Sequence, residues 1–216
     1  MARKLVVITA GLSQPSSTRL LADRIADSVA AGITARGEAA DVEFVELREL
    51  AVDLATSMAD GGMVTGRVAE VRDQVSAADG LVVVTPVFTA SYSGLLKMFF
   101  DLLDTDALNG MPTIIAATAG TARHSLVLDH AMRPLLTYLR AVVVPTGVFA
   151  ATDDFGSSEE LSGRISRAAG ELASLMVAES GAVEGFAPGA PSRRTSGNDL
   201  SLGSASFADL LRGHTG

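Results

Sequence analysis

Five short β-rich runs alternate with segments of helical period, and this alternation restricts the fold more than any other feature of the chain. The runs are Leu5 to Thr9 (LVVIT), Val42 to Glu46 (VEFVE), Leu81 to Thr85 (LVVVT), Thr113 to Ala117 (TIIAA) and Ala141 to Pro145 (AVVVP). Four of them are nearly continuous in apolar residues, as strands covered on both faces must be, while the second alternates and suits a sheet edge. Between them Leu21, Ile25, Val29 and Ile33 recur at every fourth position, opposite Asp23, Arg24 and Asp27; Val64, Val68, Val71 and Val75 do the same beside charged neighbours. Further helices are predicted at about Ser93 to Leu103, Ser125 to Leu139 and Glu159 to Val177. Strands alternating with helices predict five βα units, an open, doubly wound parallel sheet with helices on both faces.

Such a unit accounts for residues 1–177 of the 216. Beyond about Ala178 the composition shifts to Gly, Ser, Pro and Ala, so 178–216 is predicted as an irregular tail. Its short amphipathic end, Phe207 to Leu211, suits docking on its own or a neighbouring subunit.

The formal charge of −8 and a sequence pI near 4.8 argue against a nucleic-acid or anionic-membrane surface. There is no cysteine, which removes disulfides and thiol chemistry. His124, His130 and His214 do not have metal-ligand spacing, so no metal is expected. The apolar run at Leu5 to Ile8 is too short for a membrane span or signal core, and a soluble, cytoplasmic protein is expected.

In an open α/β sheet the binding crevice lies beyond the carboxyl ends of the strands, where strand order reverses. The loops after runs one, three and four are therefore the candidates. The first (TAGLSQPSSTRL, from Thr9) holds Gly11 and the hydroxyls of Ser13, Ser16, Ser17 and Thr18 where a helix begins. Free N–H groups at the helix start and small hydroxyl donors can hold a phosphate without a lysine. The same residues read equally well as N-caps. The loop is neither a Walker A sequence nor GxGxxG.

The second loop (TPVFTASYSGLLK, from Thr85) is apolar. Pro86 is expected to end its strand, and Pro86, Val87, Phe88 and Thr89 offer a backbone and an aromatic surface to a flat ring. Phe88 and Tyr92 read alternatively as the loop's own packing. The third (TAGTARH, from Thr118) places Thr118, Gly120 and Thr121 where backbone N–H groups approach a ligand edge. Gly120 serves equally for a positive φ, and His124 reads as a proton donor or a surface residue. A phosphate, a flat apolar body and a polar edge in that order are the parts of flavin mononucleotide (FMN); ATP would call for a P-loop lysine or a metal carboxylate.

The first loop with its helix start, TPVFTASYSGLLKMFFDLLD and ATAGTARHSLVLDHAMRPLLTYLRA together resemble the NADPH-dependent FMN reductase family, over about Met1 to Val177. The resemblance implies a flavodoxin-like, five-stranded sheet of order 2-1-3-4-5. It also implies FMN with its phosphate on Ser13, Ser16, Ser17 and Thr18, its isoalloxazine against Pro86 to Thr89, and its pyrimidine edge at Thr118, Gly120 and Thr121. Many relatives carry an Arg in the first loop where this chain has Gln14, and their Glu-Tyr-Asn in the second is here Val87-Phe88-Thr89.

A finer resemblance is to flavin reductases of two-component monooxygenases, whose fourth helix carries an extra Tyr or His that bulges it and favours flavin release. His130 occupies that place, although Pro134 could distort the helix by itself. The implied activity is hydride transfer from NADPH or NADH to FMN, with reduced flavin supplied to a partner oxygenase. The cofactor carries the chemistry, so no side chain is named as catalytic. Two other readings keep the fold: an FMN-holding reductase of quinones, azo dyes or metal oxyanions, and a flavodoxin-type electron carrier. Without Trp, and with only Tyr92 and Tyr138, the chain is poorly equipped to sandwich a flavin as a flavodoxin does. A homodimer or homotetramer is implied, with the helices around Leu95 to Leu103 and Leu126 to Leu139 as interfaces.

Overall fold

The computed structural model describes residues 2–156, 159–177 and 194. The chain forms β1 (Ala2–Thr9), α1 (Ser17–Thr34), β2 (Ala39–Glu46), a 3-10 turn (Leu47–Leu50), α2 (Ala51–Ala59) and α3 (Gly66–Ser76). It continues through β3 (Gly80–Phe88), β4 (Ser91–Tyr92), α4 (Gly94–Asp101), β5 (Pro112–Ala119) and a second 3-10 turn (Ala122–His124). A π-helical turn (Leu128–Met132), α5 (Arg133–Tyr138), β6 (Val142–Val143), β7 (Val148–Ala151), a third 3-10 turn (Thr152–Phe155) and α6 (Glu159–Val177) complete it.

The main sheet runs β2-β1-β3-β5-β6, all parallel, which is the expected order 2-1-3-4-5 of the five runs. Alternation along the strands sends Leu5, Val7, Val82 and Val84 under α1 and α6, and Val6, Ile8, Leu81 and Val83 under α2 to α5. These side chains are fully buried, and each contributes roughly 1.5–3 kcal/mol through burial of apolar surface. The two layers hold the carboxyl ends of β1, β3 and β5 side by side. Among the described residues no helix is long and apolar enough to cross a membrane.

Several expectations need correction. Pro86 does not end its strand: β3 runs on to Phe88 because β4 folds back on it, pairing Val87 with Tyr92 and Phe88 with Ser91. The fifth strand is broken into β6 and β7, which both pair with β5. The break spans Pro145, which has no N–H, and its polar groups are met from the flanking helices. Arg133 donates to the Val144 and Pro145 carbonyls at 3.1 Å each, and Thr146 N and Oγ1 donate to Glu171 at 2.9 and 2.7 Å. Helix α2 was not expected; it buries only Leu54 and Ser57 and so carries no apolar stripe. Val64 precedes α3 rather than belonging to it.

The fourth helix is not continuous. Arg133 N–H donates to the Leu128 carbonyl, five residues back, one residue before Pro134. The expected bulge at His130 is therefore present as a π turn, with His130 exposed inside it. The 178–216 tail lies outside the described residues except for Arg194. Its Nε donates to the Asn109 carbonyl at 3.0 Å and its Nη1 to the Ala78 carbonyl at 2.5 Å, tying the chain just ahead of β3 and β5.

Candidate active site

The first loop leaves β1 with the Ala10 N–H on the Val84 carbonyl at 3.0 Å, so it starts against β3. Gly11 is buried, and a Cβ there would meet Ser16 Oγ and come within 3.0 Å of Thr18 Cβ. Only glycine permits so close an approach of the loop to its own helix start. Ser16 is the N-cap of α1, its Oγ accepting from Arg19 N at 3.2 Å. The capping reading is thus realised at Ser16, while Ser13 and Ser17 are exposed and line the crevice. Thr18 is buried, and its Oγ1 lies 2.9 Å from Thr118 Oγ1, either atom donating. That bond joins the first loop's helix to the end of β5.

The second wall is a two-residue hairpin. Thr85 Oγ1 accepts from Ser93 N at 2.9 Å and donates to the Pro86 carbonyl at 3.0 Å, closing the base of the loop. At the tip Thr89 and Ala90 both have positive φ, 46° and 66°, the pattern of a type I′ turn. This turn carries Thr89 past the cleft wall. Tyr92 pairs with Val87 and packs on the core, so its loop-packing reading holds, whereas Phe88 stays 46% exposed at the cleft.

The third wall follows β5. Pro86 and Thr118 are neighbours in register, which brings the second and third loops together. Gly120 lines the cleft; its φ is not positive, and a Cβ there would meet nothing within 4 Å, so the turn itself does not require glycine. Thr121 caps the following 3-10 turn by position, without a side-chain bond, and lies off the cleft wall, as does the exposed His124.

Between the walls is an open cleft of about 290 Å³, near the lower bound of the roughly 300–1,000 Å³ typical of small-molecule sites. Gly11, Ser13, Ser17, Thr18, Pro86, Val87, Phe88, Thr118 and Gly120 line it; Ser16, Thr89 and Thr121 do not. Sequence reasoning missed Leu12, Ala119 and Thr152. Leu12 and Ala119 are interleaved with residues already singled out, and Thr152 follows β7, a strand not read from the sequence. None of the described lining residues is charged. The donor set of hydroxyls and helix-start N–H groups suits a phosphate, and the Pro86 to Phe88 side suits a planar ring, so the residues present fit FMN.

Ionic groups gather behind the first loop. Arg19 donates to Asp23 at 2.8 Å and to Glu46 at 2.6 Å, and its guanidinium lies 4.0 Å from the centroid of the Phe44 ring. Burial alone would raise the Glu46 pKa, but hydrogen bonds from Arg48 and Arg19 outweigh it and hold the carboxyl below its ordinary value.

The model of the NADPH-dependent FMN reductase family matches residues 3–156. Over 176 residues the chain is 37% identical to a Pseudomonas aeruginosa protein named FMN reductase (NADPH), covering 80% of this chain and 91% of that one. Over the same length and coverage it is 36% identical to an NADH-dependent FMN reductase, SfnF, of Pseudomonas fluorescens. Among solved structures, an oxidoreductase from Corynebacterium diphtheriae shares 65% identity at a TM-score of 0.79, covering 82% of this chain and 97% of that chain. An apo NADH:FMN oxidoreductase shares the fold at a TM-score of 0.69 and 24% identity, with 94% and 100% covered. Because the family match spans all three cleft-forming loops and most of the chain, this protein belongs to the NADPH-dependent FMN reductase family.

Proposed function

We propose that the chain reduces FMN with NADPH or NADH in the cleft between the loops after β1, β3 and β5, and that FMN enters and leaves as a substrate. The observation that carries this is the cleft's division: hydroxyls and a helix start on one side, Pro86 to Phe88 on the other, and the Thr118 to Gly120 backbone at the far edge. Ser13, Ser17 and Thr18 bind the phosphate, with Ser16 holding the helix start in place and its own hydroxyl hydrogen free to donate. Pro86, Val87 and Phe88 orient the ring from one face and exclude water there. The turn at Thr89 fixes that wall from behind, and Thr118 to Gly120 form the segment facing the pyrimidine edge, with Thr121 just beyond it.

When bound, FMN supplies the hydride acceptor, and no side chain has to transfer a proton in that step. A single half-exposed aromatic, Phe88, and an open cleft favour exchange over permanent retention. The π turn at Leu128–Met132 supports the same reading and, with it, delivery of reduced flavin to a partner oxygenase. Leu126 and Tyr138, 63% and 73% exposed around that turn, give the fourth-helix region an apolar outer face for a second copy in a homodimer or homotetramer. The other expected interface is less available, since Leu96, Phe99 and Phe100 of α4 are buried in the chain's own core.

The test is NADPH and NADH consumption by purified protein with and without added FMN, FAD and riboflavin. Oxidation that depends on added FMN is expected. A protein that purifies with flavin bound, and turns over equally well without addition, contradicts the exchanging-substrate reading.

A further inference from the structure

Behind the phosphate loop, outside the cleft, side chains form a closed ring. Ser16 Oγ accepts from the backbone N–H of Arg19 at 3.2 Å. The Arg19 guanidinium donates through Nη1 to Glu46 Oε1 at 2.6 Å, and the other oxygen of Glu46 accepts from Arg48 Nε at 2.7 Å. Arg48 then turns both Nη atoms onto the carboxamide of Gln14. With its oxygen facing the guanidinium, Gln14 accepts from Nη1 at 2.6 Å and also from Nη2; the opposite orientation would set NH2 against N–H donors. Gln14 stands two residues before Ser16, so the ring leaves the loop at one end and returns to it at the other.

We infer that Arg48 is a positioning residue for flavin binding: through Gln14 it holds the Ser13 to Ser17 hydroxyls in the geometry that receives the flavin phosphate. This rests on the phosphate reading of the first loop given above. Three observations carry it. Arg48 belongs to the 3-10 turn after β2, so the contact ties the loop to a different element. Its guanidinium is already committed, with Nε on Glu46, which fixes the direction of the two Nη donors. Gln14 is otherwise an exposed residue of a loop flanked by exposed Ser13 and Pro15, and two Nη donors converging on its one oxygen remove more of its freedom than a single contact would. The two guanidiniums are met by Glu46 between them, by Asp23 on Arg19 and by Glu49 3.6 Å from Arg48, so the ring orders the loop while placing little net positive charge on it.

The role predicts a signature that a purely structural residue would not give. Riboflavin has the ring of FMN and lacks the phosphate, so loosening the loop must weaken FMN and spare riboflavin. Dissociation constants for both are measured by flavin fluorescence in the wild type and in Arg48→Ala, Gln14→Ala and the double variant, with thermal midpoints as a check on folding. Each single variant is expected to weaken FMN about tenfold, equivalent to about 1.4 kcal/mol, with riboflavin unchanged within about twofold. The double variant is expected to be no worse than Arg48→Ala alone, because that change already removes the Gln14 contact.

An Arg48→Ala variant that binds FMN as tightly as wild type overturns the inference, as does equal weakening of FMN and riboflavin. A further loss from Gln14→Ala in the Arg48→Ala background also overturns it, since Gln14 would then be serving FMN without Arg48. If Arg48→Ala fails to fold, Gln14→Ala decides alone: selective loss of FMN supports the role and unchanged affinity refutes it. A wild type that binds FMN no tighter than riboflavin would instead remove the phosphate reading itself.

Discussion

Thr18 and Thr118 share a hydrogen bond of 2.9 Å between their side-chain oxygens, buried at the floor of the cleft and joining positions one hundred residues apart. Thr18 sits in the first turn of α1 and Thr118 near the end of β5, so the bond spans β3 and fixes the distance between the first and third loops. Replacing Thr18 by Val keeps the volume and leaves the Thr118 hydroxyl buried without that partner. The expected loss of stability is about 1–3 kcal/mol. The double variant Thr18→Val/Thr118→Val is expected to be destabilised by less than the sum of the two single changes, because the first already breaks the bond. Urea unfolding of the four proteins measures this; strict additivity would show that the hydroxyls do not interact.

At the hairpin tip, Thr89 and Ala90 hold left-handed backbone angles without being glycine. An L-residue there costs roughly 1–2 kcal/mol, partly offset on substitution by the greater freedom of glycine in the unfolded chain. Ala90→Gly is therefore expected to raise the melting temperature by about 1–3 °C. Ala90→Pro, whose φ is locked near −65°, is expected to lower it. Differential scanning calorimetry distinguishes the two, and a lower midpoint for Ala90→Gly would show that the turn is not strained.

Glu46 accepts from Arg19 and Arg48 at once, and its carboxyl is held below its ordinary pKa. A carboxylate lowered by folding stabilises the folded state above its unfolded pKa, near 4.5, and that contribution is lost as pH falls through the lower folded value. Glu46→Gln is thus expected to melt below the wild type at pH 7, with the gap closing as the pH is taken below about 4.5. The gap at pH 7 should be modest because the pair is partly exposed and screened by solvent. A gap that widens toward acid would have the wrong sign for this account.

Much of this was legible in the chain because period and burial coincide. Leu5 to Ile8, Leu81 to Val84 and Ile114 to Ala117 are buried on both faces and read as such, and the 3.6-residue stripe of Leu21, Ile25, Val29 and Ile33 is the buried face of α1. The hydroxyl-rich start of α1 was legible because a helix start must satisfy its own N–H groups, as Ser16 does here. What could not be read depends on contacts distant in sequence. The β4 return that carries β3 past Pro86, the split of the fifth strand across Pro145 and the Thr18 to Thr118 bond each need a partner that local pattern does not announce. Helix α2 escaped notice for a simpler reason: two buried positions in nine make no stripe. Gln14 appeared as a departure from relatives, and only the fold brings Arg48 against it.

The most direct test of the central claim separates binding from chemistry at the phosphate loop. Ser17 lines the cleft at the start of α1, whereas Pro86 to Phe88 and Thr118 to Gly120 line it from other loops. The measurement is the FMN dissociation constant of Ser17→Ala beside its NADPH oxidation rate at saturating FMN. The account predicts an affinity about ten- to a hundredfold weaker, as for loss of one hydrogen bond to a charged group, with a saturated rate within about twofold of wild type. Unchanged FMN affinity with loss of turnover would contradict it, because Ser17 would then be serving the reaction and not the phosphate.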